Sequence, residues 1–430
     1  MDGAVGELHV GWHALHPDVS LNFQLNRWAA YGGPRWLADV RPVLSLLGDY
    51  DGWRNTFVTL GERAAREGRT LHAALHFRAA EFFMLPSDPR KEPLRQRLIL
   101  MLREAAGVDA SARVEVPFGA LRLPVWRLPC LPRTLSGGTH RTVVVCGGFD
   151  SYIEEFFPLL TCLRDQGFNV VAFEGPGQGS VRAEQGAPMT ADWHHPVAAV
   201  LDALDLDEVT LVGISLGGCL AIRAAAHEPR VRRVVAFDVL TDLFACFVEQ
   251  QPPIARALVR KLAAIAKNGA GGVLAAPMNG LINAAARDRP VLEWGLAQAM
   301  YVFGCDRPTD ALRASQTFHT RDVSAHVRQD VLLLAGARDH YVPLTQLWDQ
   351  ARLLSGARSI TARVFTVEEQ GQAHCQVGNI PLAIDVIAAW SRSLDARDAS
   401  DVSEPSPLDR VHRKRAGASR LTGEGTRWTS

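Results

Sequence analysis

The chain has little of what marks membrane, secreted or nucleic-acid-binding proteins. No apolar run approaches the roughly 18–20 residues needed to cross a bilayer. Neither sign of charge is in excess: Lys plus Arg and Asp plus Glu number 46 each in 430 residues, which leaves no electrostatic footprint for a nucleic acid or an acidic partner. Cysteine is sparse and odd in number, seven in all, with no C-x-x-C pair. That spacing argues against a disulfide framework and against a thiolate metal site, and for reduced thiols. Residues 1–16 lack the basic-then-apolar layout of a secretory leader. The expectation from these absences is a cytoplasmic protein without metal, nucleic-acid or membrane partners.

What is present is an ordinary globular composition, 47% hydrophobic and 21% charged, long enough for one large domain with additions. Its most informative feature is Gly213-Ile214-Ser215-Leu216-Gly217. An apolar run, residues 209–212, precedes it and a second, residues 219–222, follows. This is strand, sharp turn and helix with a serine at the apex. The small residues let the chains close in on each side, and the hydroxyl stands clear of the sheet. A bare G-x-S-x-G is common by chance, so the flanks and the later residues decide its reading.

Two later loops complete the pattern. Residues 331–335 read as a buried strand, and the loop after it carries Asp339. A further strand over 360–367 leads to a loop with His374, ahead of a helix predicted over 380–394. The order Ser215, Asp339, His374, each at a strand end, is that of a serine nucleophile, its acid and its base. A serine hydroxyl needs His374 to take its proton, and Asp339 to hold the imidazole tautomer. Asp339 also suits a turn or a helix cap, and His374 suits a structural histidine. Asp238, at the end of the strand over 231–237, is the alternative acid. His340 reads as a neighbour rather than as the base.

The strand over 143–146 ends in Gly147-Gly148-Phe149-Asp150-Ser151. Acyl transfer needs two backbone donors for the developing oxyanion. The Leu216 N–H is the expected first donor and the Phe149 N–H the second, with Gly148 allowing close approach to the substrate. Phe173-Glu174-Gly175-Pro176-Gly177-Gln178-Gly179 lacks the spacing and the Lys-Ser/Thr of a phosphate loop, so it reads as a shaped turn.

The pattern divides the chain into a helical region, residues 1–110; a first core part, 111–238; a helical insertion, 239–328; a second core part, 329–394; and a charged Ser/Gly/Pro-rich tail, 395–430, expected to be disordered. The tail includes a basic run, residues 410–415. Within the first region a helix is predicted over 54–83, and Trp12, Trp28, Trp36 and Trp53 read as core. Alternating runs at 112–118 and 121–128 read as an antiparallel start to the sheet. The strand–helix alternation over 141–237 predicts a mostly parallel sheet covered by helices on both faces, an α/β protein. The insertion is placed to act as a lid over the strand ends. Its Phe247, Trp294 and Met300 suit an apolar ligand, and Gly148, Phe149 and Trp294 are the expected substrate contacts.

Gly147-Gly148-Phe149-Asp150-Ser151 with Glu154-Glu155, the 173–179 loop, and Ser215-Leu216-Gly217-Gly218 together resemble one branch of the α/β-hydrolases. That branch contains dihydroxypseudooxynicotine hydrolase and the fungal hydrolases that shorten heptaketide pigment precursors, and its members carry helices ahead of the core. The resemblance covers residues 21–394. It implies a triad of Ser215, Asp339 and His374. It also implies cleavage of an ester, an acyl bond or a C–C bond beside a ketone in a mid-sized carbonyl compound, without metal or organic cofactor. A homodimer is compatible with it. A lyase, cyclase or acyl transferase using the same pocket is the alternative. If the helical region completes the pocket, an aromatic such as Phe23 or Trp28 reaches the substrate.

Overall fold

A computed structural model describes residues 7–130, 141–267, 271–287 and 289–403. The chain divides into two units, residues 1–384 and 385–430. The first contains all eight strands.

Four helices come first: α1 (Val19–Val40), α2 (Tyr50–Arg66), α3 (Thr70–Phe82) and α4 (Lys91–Ala106). Asp18 caps α1 by accepting the Leu21 N–H at 2.9 Å, and Asp49 caps α2 by accepting the Gly52 N–H at 2.7 Å. The helical stretch expected over 54–83 is two helices, α2 and α3. Gly68, at φ +72°, supplies the left-handed turn that sends α3 back against α2. Trp36, Trp53, Phe57 and Phe77 are fully buried between these helices.

The sheet is built from β1 (Arg113–Phe118), β2 (Leu121–Leu128), β3 (Thr142–Cys146), β4 (Asn169–Phe173), β5 (Val209–Ile214), β6 (Val231–Phe237), β7 (Asp330–Gly336) and β8 (Ser359–Phe365). Its order is β1-β2-β4-β3-β5-β6-β7-β8. β1 and β2 are antiparallel, and β3 to β8 all run parallel. The expected antiparallel start and parallel body are both present. Helices α5 (Phe157–Asp165), α6 (Gly179–Gln185), α7 (His194–Ala203) and α8 (Leu216–Ala225) join the first parallel strands. Every residue of β5 and of β7 is buried. A parallel strand covered on both faces reads as a continuous apolar run for this reason.

Between β6 and β7 come α9 (Leu243–Glu249), α10 (Pro253–Lys267), α11 (Gly271–Ala286), α12 (Pro290–Phe303) and α13 (Pro308–Ser315); α14 (Thr345–Leu353) joins β7 to β8. The last helix, α15, spans Ile380–Ser403. It is longer than the predicted 380–394, so the tail expected to be disordered from 395 is helical as far as Ser403. The basic run 410–415 lies outside the described residues. Among the described residues, no helix is long and apolar enough to cross a membrane.

Candidate active site

Ser215 sits between β5 and α8 with φ 61° and ψ −124°, a conformation that costs a side-chain-bearing residue about 1–3 kcal/mol. Close packing fixes the turn. A Cβ on Gly213 would strike the Gly217 carbonyl, and one on Gly148 would stand 2.9 Å from both the Ile214 oxygen and the Leu216 nitrogen. The loop after β3 therefore lies directly against the nucleophile turn. The N–H groups of Phe149 and Leu216 have no hydrogen-bond acceptor among the described residues, so both are available to an incoming oxygen. Leu216 is the first residue of α8, where the helix leaves its own N–H groups unpaired.

The structure brings the three expected side chains together. His374 Nε2 is 2.8 Å from Ser215 Oγ, and His374 Nδ1 is 2.6 Å from Asp339 Oδ2. Asp339 leaves the end of β7 and is held by the N–H groups of Tyr341 at 2.7 Å and Val342 at 3.0 Å. Burial acts to raise its pKa, but the His374 charge and the hydrogen bonds to the carboxylate together hold it below its ordinary value. Burial would likewise depress His374; the Asp339 carboxylate, with Cys375, lifts the imidazole well above the ordinary histidine range. Asp238, the alternative acid, lies at the end of the adjacent β6, with Oδ2 3.7 Å from His374 Nδ1. The distances single out Asp339 as the partner of the imidazole. Asp238, Asp339 and His374 also form a group at metal-ligand spacing, but their facing atoms are engaged with one another.

The walls are aromatic. Phe149 packs against Phe303 at 5.6 Å and Phe247 at 6.2 Å between ring centroids. On the other side Phe23 of α1 lies 6.2 Å from the His374 ring and Tyr341 lies 5.3 Å from it. The His340 ring lies tilted against Phe23 and Tyr341 at 5.0 and 3.8 Å between centroids. Of the two aromatics expected from the helical region, Phe23 reaches the site. Trp28 is fully buried, with the Arg27 guanidinium 4.7 Å above its ring. Trp294 shares a cavity wall with Phe149, and its indole stacks on Phe82 and donates to the Phe82 carbonyl at 2.7 Å.

Charged side chains stand among the lining of that cavity: Arg78, Glu81, Lys91, Asp150 and Arg182. Much of it belongs to a buried ion network that sequence reading did not anticipate. Glu155 accepts from Arg27 at 2.7 Å and from Arg78 at 2.8 Å. Arg78 also bonds Glu81 at 2.6 Å and the Asp150 carbonyl at 2.6 Å. Tyr152 donates to Glu81 at 2.7 Å. Arg78 and Glu81 stand in the otherwise apolar stretch of α3, and charges in such a stretch were the available signal. The network ties α1 and α3 to the loop carrying Phe149. Gln178 holds the same loop from the other side, donating to the Gly147 carbonyl at 2.6 Å while accepting the Gly175 N–H at 3.1 Å. The shaped turn at 173–179 is thus a support for the loop that carries Phe149.

A parallel sheet with a strand–serine–helix turn, and with loops bearing acid and histidine on later strands, defines a hydrolase architecture. The chain belongs to the alpha/beta hydrolase fold family, whose model matches residues 141–376, and it is an α/β-hydrolase enzyme. It is 33% identical to the hydrolase acrC of Aspergillus aculeatus over 314 residues, covering 65% of this chain and 69% of that one. It is 28% identical to the 20-hydroxy-prefusarin hydrolase FUS2 of Gibberella moniliformis, covering 68% and 74%. The fold matches that of 2,6-dihydroxy-pseudo-oxynicotine hydrolase with a TM-score of 0.54 at 23% identity, over 79% of this chain and 87% of that chain. The resemblance read from the motif loops is borne out.

Proposed function

We propose that the protein is a serine hydrolase that cleaves an ester, acyl or ketone C–C bond of a mid-sized, mainly apolar carbonyl compound through an acyl-enzyme. The observation that carries this reading is His374 standing within hydrogen-bond distance of Ser215 on one side and Asp339 on the other. His374 Nε2 takes the Ser215 proton as Oγ attacks the carbonyl carbon, and Asp339 stabilises the imidazolium. The N–H groups of Leu216 and Phe149 hold the oxyanion. The imidazolium returns its proton to the leaving group as the bond to it breaks. Water, deprotonated by the same imidazole, then releases the acid and restores Ser215.

The aromatic walls from Phe23, Phe149, Phe247 and Phe303 support an apolar small molecule as substrate, with Gly148, Phe149 and Trp294 on its path. The name of the Gibberella relative, a hydrolase of 20-hydroxy-prefusarin, supports a small organic substrate as well. All seven cysteines are free thiols, which supports a reducing, cytoplasmic setting.

The test is labelling by a fluorophosphonate, in wild type and in Ser215→Ala, beside a screen of acyl esters and β-diketones. Wild type should be labelled stoichiometrically and turn over at least one class of compound; Ser215→Ala should do neither. Turnover above about one part in a hundred in Ser215→Ala would remove the acyl-enzyme from the mechanism and leave proton-transfer chemistry, as in a lyase or cyclase.

A further inference from the structure

Two carboxyl groups, not one, stand behind His374. Asp238 and Asp339 leave the ends of neighbouring parallel strands, β6 and β7, and a carboxylate oxygen of each lies within 4.8 Å of the other and of a His374 ring nitrogen. Asp238 is 1% exposed. Its Oδ1 accepts the Val239 N–H at 3.0 Å, and its Oδ2 accepts the Cys375 N–H at 3.3 Å. Among the described residues, no lysine or arginine pairs with either carboxyl. The other titratable groups around them are Cys246 on α9, Cys375, His340 and Tyr341, none of which supplies a fixed positive charge.

Charge arithmetic decides the protonation. The serine is activated only when His374 is neutral, and two ionised carboxyls would then be two buried anions in contact with no compensating cation. Sharing one proton removes that cost, as in other carboxyl pairs. The proton cannot reside on Asp339, whose Oδ2 must accept from His374 Nδ1 and whose Oδ1 already accepts two backbone N–H groups. Asp238 is left to carry it.

We propose that Asp238 is a positioning residue that remains protonated and donates its hydrogen bond to Asp339, setting how strongly Asp339 attracts the His374 proton. The proposal rests on the serine-hydrolase reading above. A donor on Asp339 disperses its negative charge, so the imidazolium is stabilised less and the neutral base is available at lower pH. Burial, followed by the charge of Asp339, pushes the Asp238 carboxyl well above its ordinary range, in keeping with this assignment.

The experiment is the rate of Ser215 labelling by a fluorophosphonate as a function of pH, in wild type, Asp238→Ala and Asp238→Asn, with thermal melting as the folding control. This readout needs no knowledge of the natural substrate. Asp238→Ala should move the acid limb of the profile upward by about half a pH unit or more, because the donor is lost. Asp238→Asn, which keeps an N–H donor, should bring the limb back toward wild type. A limb that moves downward in either variant means an ionised Asp238 and overturns the proposal, as does an unmoved limb in Asp238→Ala. If Asp238→Ala does not fold, Asp238→Asn alone decides by the direction of its limb: near wild type supports the proposal, downward overturns it. Wild type that is not labelled at any pH refutes the serine-hydrolase reading itself, which is a separate outcome.

Discussion

At the scale of single residues, the proposed mechanism makes the charge state of His374 set the pH dependence. A base is useful only when neutral, and Asp339 lifts the imidazole above its ordinary value of about 6.5. Activity should therefore rise with pH through a limb above about 6.5. Asp339→Asn should lower turnover by about 10³–10⁴-fold, because the amide donates where the carboxylate accepts and the wrong tautomer results. Asp238, 3.7 Å from the same nitrogen, is too distant to substitute. Kinetics on any ester the wild type accepts will check both points; a greater loss from Asp238→Asn than from Asp339→Asn would transfer the acid to β6. The grouping of Ser215, Asp339 and His374 was legible in the sequence because each lies in a glycine-bearing turn or loop that follows a strand. There Asp339 reads as the acid with Asp238 as its rival; both follow strands that end side by side, and the distances to His374 Nδ1, 2.6 Å against 3.7 Å, favour Asp339.

At the scale of elements, the loops that support the site rest on buried charge. Glu154 follows the oxyanion loop and accepts from the Trp126 indole at 3.2 Å. Glu174, at the end of β4, accepts from the Ile153 N–H at 3.0 Å and from the Ser180 N–H and hydroxyl at 2.7 Å each. Burial, reinforced by the charge of Glu174, pushes Glu154 up to about 8. A carboxyl whose folded value lies above its unfolded value of about 4.3 contributes stability that is complete below the unfolded value and is lost as pH rises through the folded one. Glu154→Gln removes the titration. Its melting temperature relative to wild type should therefore climb between pH 4.5 and 8. A difference that stays constant across that window would mean that Glu154 is already ionised in the folded protein. Periodicity exposed the strands and most helices, but it treats polar residues as surface. Glu154, Glu155, Arg78 and Glu81 are buried polar residues, so the supporting network was invisible to that reading. The helix break at Gly68 was missed for a related reason: one left-handed residue leaves the apolar spacing on either side undisturbed.

At the scale of the whole molecule, the helical region before the sheet shares a charge network and a site wall with the hydrolase body. Phe23 of α1 stands beside His374, and Arg27 and Arg78 neutralise Glu155 beneath the loop that carries Phe149. Removing one partner of a buried ion pair costs about 3–5 kcal/mol, because the other charge is left without compensation. Deletion of residues 1–110 strips both arginines from Glu155 at once and uncovers the apolar faces against which the helices pack. A protein of residues 111–403 should consequently be insoluble or should fail to react with a fluorophosphonate at Ser215. Co-expression with residues 1–110 as a separate chain should restore part of the labelling, since no strand pairing joins the two described pieces and they meet through side chains and the Gly11 N–H bond to the Gly378 carbonyl at 2.8 Å. A less drastic variant tests the ionic contribution: Arg78→Met keeps an unbranched apolar stem and removes the charged guanidinium. It should lower thermal stability and slow labelling together, because Glu155 and the Asp150 carbonyl lose the same partner. A core of residues 111–403 that is soluble and labels at the wild-type rate would make the helical region an independent module, and Phe23 would then have no part in the site.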